Sequence, residues 1–274
     1  MMVSRKEINK VLIERKENIA TVIMNDAEKR NNLGPDMRES LEAAFQELSG
    51  DDAIDVVITT GAGVAWTAGL AGQWLIEGGE RARAGDRSWR RPAGGPDLRP
   101  FPKVTIAAVN GYCLGHGIMF LNVHDLAIAS EERARFGLPE VMRGFPPGPV
   151  PASCVRAVPP KWAFDMVLTG ENWDARTAQK VGLISRVVPH AQLRKAAFQW
   201  AKEIARWDRV TLEYIKKQYW AAMDEPSYTN AEEWCMLYLQ EHHRLNPKAM
   251  QGMRNFLGKG ESKATAMLKW GFKE

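Results

Sequence analysis

Residues 104–130 read VTIAAVNGYCLGHGIMFLNVHDLAIAS, and the order of elements in this stretch decides the fold class. Val104–Val109 is apolar and β-branched, the composition of a buried strand. Asn110-Gly111 turns the chain, residues 115–122 follow a helical pattern, and Leu126–Ser130 returns to strand. Strand, helix and strand in succession predict α/β architecture.

The same plan extends upstream. Residues 54–60 form another β-branched run, closed by the turn Gly61-Ala62-Gly63. Residues 11–13 and Ile19–Met24 are predicted as a hairpin with its turn at residues 16–18. Pro35 opens a helix in which Met37, Leu41, Ala44, Phe45 and Leu48 recur at helical spacing. Residues 76–103 break the pattern. They hold Arg81, Arg83, Arg87, Arg90, Arg91 and Arg99 among glycines and prolines, and are predicted as a long loop of the kind that forms lids. Downstream, Leu193–Ala205 and residues 210–223 and 229–244 are three predicted helices. The expected organisation is an α/β core over residues 1–192 and a helical region over 193–274, suited to subunit contacts.

Composition narrows the function. The chain has 274 residues, 45% apolar and 26% charged, as a globular protein does. A net charge of +4 and an isoelectric point near 8.9 are too mild to imply a nucleic-acid partner. No apolar stretch approaches membrane-spanning length, and the polar N-terminus MMVSRKEINKVLIERK reads as neither signal nor transit peptide. Cys113, Cys154 and Cys235 are widely spaced and odd in number, which points to a reducing compartment and makes the cytoplasm the expected location. Histidines and cysteines show no metal-ligand spacing, and His242-His243 reads as a helix surface.

Two glycine-marked turns carry the candidate chemistry. One is Trp66-Thr67-Ala68-Gly69-Leu70; the other is Asn110-Gly111-Tyr112-Cys113-Leu114-Gly115-His116-Gly117. A glycine-rich turn at a helix start leaves backbone N–H groups pointing at incoming negative charge. Two such donors on one carbonyl oxygen make an oxyanion hole.

These turns, with Phe136-Gly137-Leu138-Pro139-Glu140, Leu168-Thr169-Gly170 and Gly182-Leu183-Ile184-Ser185, resemble the signature of the crotonase (enoyl-CoA hydratase/isomerase) family. Lys29-Arg30-Asn31-Asn32-Leu33 is similar to its first CoA-contact segment. The resemblance runs in order from about residue 10 to the C-terminus. It implies a spiral of ββα units, C-terminal helices used in trimer or hexamer contacts, and acyl-CoA substrates with no permanently bound cofactor. It further implies that the oxyanion hole is formed by the backbone N–H groups of Leu70 and His116, and that Glu140 is the acid/base. The His116 imidazole is expected to turn away from the site. Lys29 and Arg30 are expected at the CoA phosphates, where a guanidinium pairs well. Ala68, Trp66, Trp74, Met119, Phe145, Gly115 and Tyr238 complete the expected substrate-binding set; the bulky apolar members suit an aromatic or branched acyl group. Phe120 reads as core.

The pattern departs from two-carboxylate hydratases at Met119, which stands where their second glutamate is and cannot hold water. Hydroxycinnamoyl-CoA hydratase-lyases share the single carboxylate. Trp66-Thr67-Ala68-Gly69, Phe145-Pro146-Pro147-Gly148 and Gly252-Met253 with Phe256-Leu257 also resemble that group, although Leu75 stands where its phenol-binding tyrosine would be. The expected function is therefore an acyl-CoA hydratase/lyase. The alternatives are a double-bond isomerase, a thioester or C–C bond hydrolase, and a CoA-thioester-binding scaffold without catalysis.

Overall fold

The computed structural model describes residues 3–86, 94–251 and 254. In chain order the strands begin with β1 (Ser4–Ile8), β2 (Val11–Lys16) and β3 (Ile19–Met24), followed by helix α1 (Pro35–Ser49). Next come β4 (Val56–Gly61), β5 (Ala65–Thr67) and α2 (Gly72–Arg83). The central motif is β6 (Val104–Val109), β7 (Tyr112–Leu114), α3 (His116–Asn122), β8 (Leu126–Ser130) and β9 (Arg135–Gly137). After it lie α4 (Val150–Ala157), α5 (Pro160–Thr169), β10 (Trp173–Asp174), α6 (Ala175–Lys180), β11 (Arg186–Val188) and α7 (Leu193–Ala205). The last helices are α8 (Arg209–Asp224) and α9 (Tyr228–Leu245).

Seven strands form one sheet in the order β1-β2-β3-β4-β6-β8-β11, antiparallel at the β1-β2-β3 edge and parallel from β3 onward. Alternate residues sort onto its two faces, as a pleated strand requires. Ile19, Val56, Ile58, Ile106, Ala108 and Ile128 pack under Leu193, Ala197, Trp200 and Ala201 of α7. Ala20, Val22, Val57, Ala107 and Val109 face the other way, into the core that holds Leu41, Ala44 and Leu48 of α1. The predicted hairpin is present with a tighter turn. Lys16 pairs with Ile19, so only Glu17 and Asn18 cross over, and Glu17 takes the positive φ that such a short turn demands.

A second sheet, β10-β9-β7-β5, is built from strands of two or three residues. Within it β5, β7 and β9 run parallel. The arrangement is mixed α/β with a mainly parallel sheet and C-terminal helices.

Two compact units divide the chain, one ending at Arg209 and the other beginning at Val210. Helix α7 belongs to the first. In the second, α8 and α9 meet through Tyr214, Tyr238 and His242.

Two expectations need correction. Residues 72–83 are helical, where a loop starting at residue 76 was expected. The Gly78-Gly79 pair argues for a break, but Gly78 is the buried residue of α2, and Arg81 and Arg83 sit in the last turn, where positive charge offsets the helix dipole. Arg87, Arg90 and Arg91 lie outside the described residues, as do Gly252, Met253, Phe256 and Leu257. The other correction concerns His242, which is buried rather than on the surface. Its Nε2 bonds Thr211 Oγ1 at 3.0 Å and Asn246 Nδ2 at 2.9 Å, and those polar partners make the burial tolerable. Among the described residues no helix is long and apolar enough to cross a membrane, and no cluster of metal-ligating side chains is present.

Candidate active site

The small sheet assembles the site. Leu70 follows the end of β5 by three residues, His116 follows β7 by two, and Glu140 follows β9 by three. The three strands are parallel neighbours, with Ala65 beside Tyr112 and Cys113 beside Phe136. Their C-terminal ends therefore deliver all three residues to one edge. Parallel sheets commonly place ligand sites at that edge.

The first turn is held from several sides. Thr67 Oγ1 donates to the Asn31 carbonyl at 2.6 Å, Ala68 N–H to Arg30 O at 3.0 Å, and Leu33 N–H to Gly69 O at 2.7 Å. Asn31 is fully buried. Its Nδ2 donates to Ala62 O and Ala65 O, and its Oδ1 accepts from Asp26 N–H. Arg30 and Asn31 both adopt positive φ, a conformation that costs a non-glycine residue free energy and persists only where surrounding bonds fix it. The Lys29 and Arg30 side chains beside this clamp are exposed.

Asn110 ties the second turn to the Gly61-Ala62-Gly63 turn that leads into β5. Its Oδ1 accepts from Gly61 N–H at 3.0 Å and its Nδ2 donates to Gly63 O at 3.1 Å. Gly111 packs so closely that a Cβ there would lie 2.0 Å from Val64 O. Gly69 has φ +83°, and a Cβ on it would come within 2.5 Å of Leu114 O and 3.3 Å of His116 N. The turn preceding Leu70 thus lies against the start of α3. The N–H groups of Leu70 and His116 have no acceptor among the described residues, as expected for a loop amide and a first helical residue. Asn31 and Asn110 escape a reading based on reactive groups. Their only signal in the sequence is an asparagine beside a turn.

Glu140 is 6% exposed, and its Oε2 is buried without a hydrogen-bond partner. Burial raises its carboxyl above the ordinary range, opposed by its own backbone amide and by Arg143. The Glu140 carbonyl anchors the following loop by accepting from Arg143 N–H and Phe145 N–H. A raised, water-poor carboxylate is a better base than a solvated one. His116 is 7% exposed with Nε2 also unpartnered; burial lowers its imidazole to about 4, so the ring is neutral at neutral pH. Behind them, burial pushes the Cys154 thiol up to about 11, with the Glu140 charge adding to it. Both Cys113 and Cys154 are free, buried thiols.

The remaining expected residues divide by position. Trp66 is fully buried, stacked on Phe120 at 5.3 Å and edge-on to His124 at 5.6 Å, with its Nε1 unpartnered. Phe120 is core, as expected. Ala68, Met119 and Phe145 are half-buried; Trp74 is half-buried on α2. Gly115 has φ +56° and donates its N–H to Gly137 O at 2.9 Å. Tyr238 lies on α9 in the second unit, against Tyr214 and Trp234.

A pair of free amides beside an unpartnered carboxylate can stabilise an enolate and move its proton, and comparison with known proteins agrees with that class of chemistry. The enoyl-CoA hydratase/isomerase family model matches residues 14–265. Hydroxycinnamoyl-CoA hydratase-lyase from Pseudomonas fluorescens is 32% identical over 260 residues, covering 90% of this chain and 91% of that protein. The 2,3-dehydroadipyl-CoA hydratase of Escherichia coli (strain K12) is 32% identical over 211 residues, covering 77% and 81%. Among solved structures, an enoyl-CoA hydratase/isomerase from Mycobacterium paratuberculosis superposes with a TM-score of 0.80 at 27% identity, covering 92% of this chain and 97% of that one. The chain belongs to the enoyl-CoA hydratase/isomerase family and is an enzyme of the crotonase superfamily. Membership brings acyl-CoA hydratase or isomerase chemistry, with coenzyme A arriving as part of the substrate.

Proposed function

We propose that the enzyme is an acyl-CoA hydratase/lyase that works through a thioester enolate, with Glu140 as its single carboxylate acid/base. The observation that carries the reading is the delivery of Leu70, His116 and Glu140 to one sheet edge by three parallel strands. In this mechanism the thioester oxygen accepts from the Leu70 and His116 amides. Glu140 takes a proton from water as its oxygen adds to the β-carbon, and electrons flow onto the thioester oxygen. The enolate then collapses as Glu140 returns that proton to the α-carbon. Preformed donors aimed at developing charge are worth several kcal/mol of barrier.

Cleavage reuses the same groups. Glu140 removes the β-hydroxyl proton, the bond between the α- and β-carbons breaks, and an aldehyde leaves. The acetyl-CoA enolate that remains takes that proton back from Glu140. Lys29 and Arg30, exposed beside the first turn, would meet the CoA phosphates. Ala68, Trp74, Met119 and Phe145 would line the acyl group. We assign the α/β core to residues 1–192 and subunit contacts in a homotrimer or hexamer to residues 193–274, with the enzyme acting in the cytoplasm.

Met119 favours a second reading. An isomerase needs only one proton shuttle and no water, and Met119 offers water nothing. Incubation with crotonyl-CoA, a 3-enoyl-CoA and feruloyl-CoA separates the two. The hydratase/lyase adds the mass of water to crotonyl-CoA, or releases aldehyde and acetyl-CoA from feruloyl-CoA. Conversion of the 3-enoyl isomer without mass change would replace that reading with the isomerase. Release of free CoA would indicate a thioester hydrolase, and tight binding without turnover a scaffold.

A further inference from the structure

Among the described residues, three buried side-chain polar atoms have no hydrogen-bond partner: Trp66 Nε1, His116 Nε2 and Glu140 Oε2. The Glu140 atom has its use in the proposed reaction, and Trp66 is enclosed by the core. The imidazole of His116 is unassigned, because the proposed chemistry employs only its main-chain amide. Leaving such a group buried and unpaired costs about 1–3 kcal/mol, which a ligand able to pair with it would recover.

Nε2 is closed to solvent, and two of the backbone positions facing the ring are glycines. Nε2 lies between Cε1 and Cδ2, and each of these carbons faces a glycine. A Cβ on Gly148 would be 3.9 Å from Cε1, and one on Gly94 would be 3.9 Å from Cδ2. Neither position offers Nε2 a side-chain partner. The Gly94 position would also lie 3.4 Å from the Met119 methyl, so His116 and Met119, three residues apart on α3, share one face. Met119 is the apolar residue at the place of a second acid/base. The imidazole stands one turn earlier, neutral, with one donor and one acceptor.

We infer that His116 Nε2 hydrogen-bonds an oxygen on the β-carbon of the acyl group, either the water being added or the hydroxyl it becomes, in the role Met119 cannot fill. This rests on the proposed seat of the thioester oxygen on the His116 amide, since that seat brings the β-carbon within reach of the same residue's side chain.

Butyryl-CoA and 3-hydroxybutyryl-CoA differ only in the β-hydroxyl, so calorimetric titration of both isolates the contact. The wild-type enzyme should bind the hydroxylated thioester about tenfold more tightly, as one well-made hydrogen bond allows. His116→Ala keeps the backbone amide and removes the ring, so the ratio of its affinities for the two thioesters should fall to about one. His116→Gln, whose carboxamide both donates and accepts, should restore part of the preference. Equal affinities in the wild type, or a preference that survives in His116→Ala, would overturn the inference. Failure of the wild type to bind butyryl-CoA would instead remove the oxyanion reading beneath it. The wild-type imidazole ¹⁵N resonances give a test independent of any variant: the hydroxylated ligand should shift His116 and butyryl-CoA should not. No difference between the two ligands would count against the contact.

Discussion

A Cβ placed on Gly115 would lie 2.7 Å from Glu140 Oε1, so the backbone entering α3 and the carboxylate following β9 are packed against each other. Gly115 also has φ +56° and ψ −126°, a conformation that side-chain-bearing residues avoid. Gly115→Ala should therefore fail twice. Backbone strain should cost about 1–3 kcal/mol of stability. Displacement of Glu140 from the adjacent amide should lower kcat by roughly tenfold or more. Thermal unfolding and steady-state kinetics measure the two effects, and a variant that matches wild type in both would show that the contact does not hold Glu140.

Glu140→Gln should separate activity from stability. Loss of the proton shuttle should cost roughly a hundred- to ten-thousand-fold in kcat. Stability should move the other way. Burial raises the folded-state carboxyl, so ionising Glu140 costs stability once pH exceeds the unfolded carboxyl value, and the cost is complete above the folded one. The glutamine carries no such cost. At neutral pH its unfolding midpoint should exceed that of wild type, and the gap should close in acid. A variant of unchanged turnover would mean that the proton is moved by another group.

How far the sequence discloses this molecule depends on element length. The run Val104–Val109 and the helical spacing of Met37, Leu41, Phe45 and Leu48 extend far enough for periodicity to show, and both elements are present. The small sheet is different. Strands of two or three residues, such as Arg135–Gly137, complete barely one alternation, so no pattern announces them. Their pairing is decided by tertiary contacts, Cys113 beside Phe136 and Leu114 beside Gly137. Glu140 is legible as a site residue only through its motif; its contact with Gly115 has no local signature. Helix α2 is obscured because Gly78-Gly79 resembles a break, although Gly78 is buried within the helix.

The buried imidazole predicts an acid-sensitive fold. The His116 value falls from 6.5 to about 4 on burial, so folding excludes a proton that the unfolded chain accepts. Its stabilising contribution is present above 6.5 and disappears as pH falls toward 4. The full shift corresponds to roughly 3 kcal/mol. His116→Gln lacks this titration, so denaturant midpoints for the two proteins should converge, or cross, on descending through that window. Parallel curves would mean that the ring charges in the folded state at little cost.

Asn110 is expected to matter to the site while touching none of its chemistry. Its carboxamide joins the chain after β4 to the turn that presents His116, accepting from Gly61 N–H and donating to Gly63 O. Asn110→Ala strands both backbone groups in a region where Asn110 is itself only 8% exposed, at about 1–3 kcal/mol for each unpaired group. Asn110→Asp keeps the acceptor for Gly61 and loses the donor to Gly63, so its loss of stability should fall between wild type and alanine. Activity should follow the same order, because Asn110 holds the turn that presents His116 against the segment leading into β5, whose far end carries Leu70. Thermal midpoints and kcat for the three proteins test the ranking. If alanine lowered the midpoint while leaving kcat intact, the turns that carry Leu70 and His116 would be held in register by the β5–β7 pairing alone.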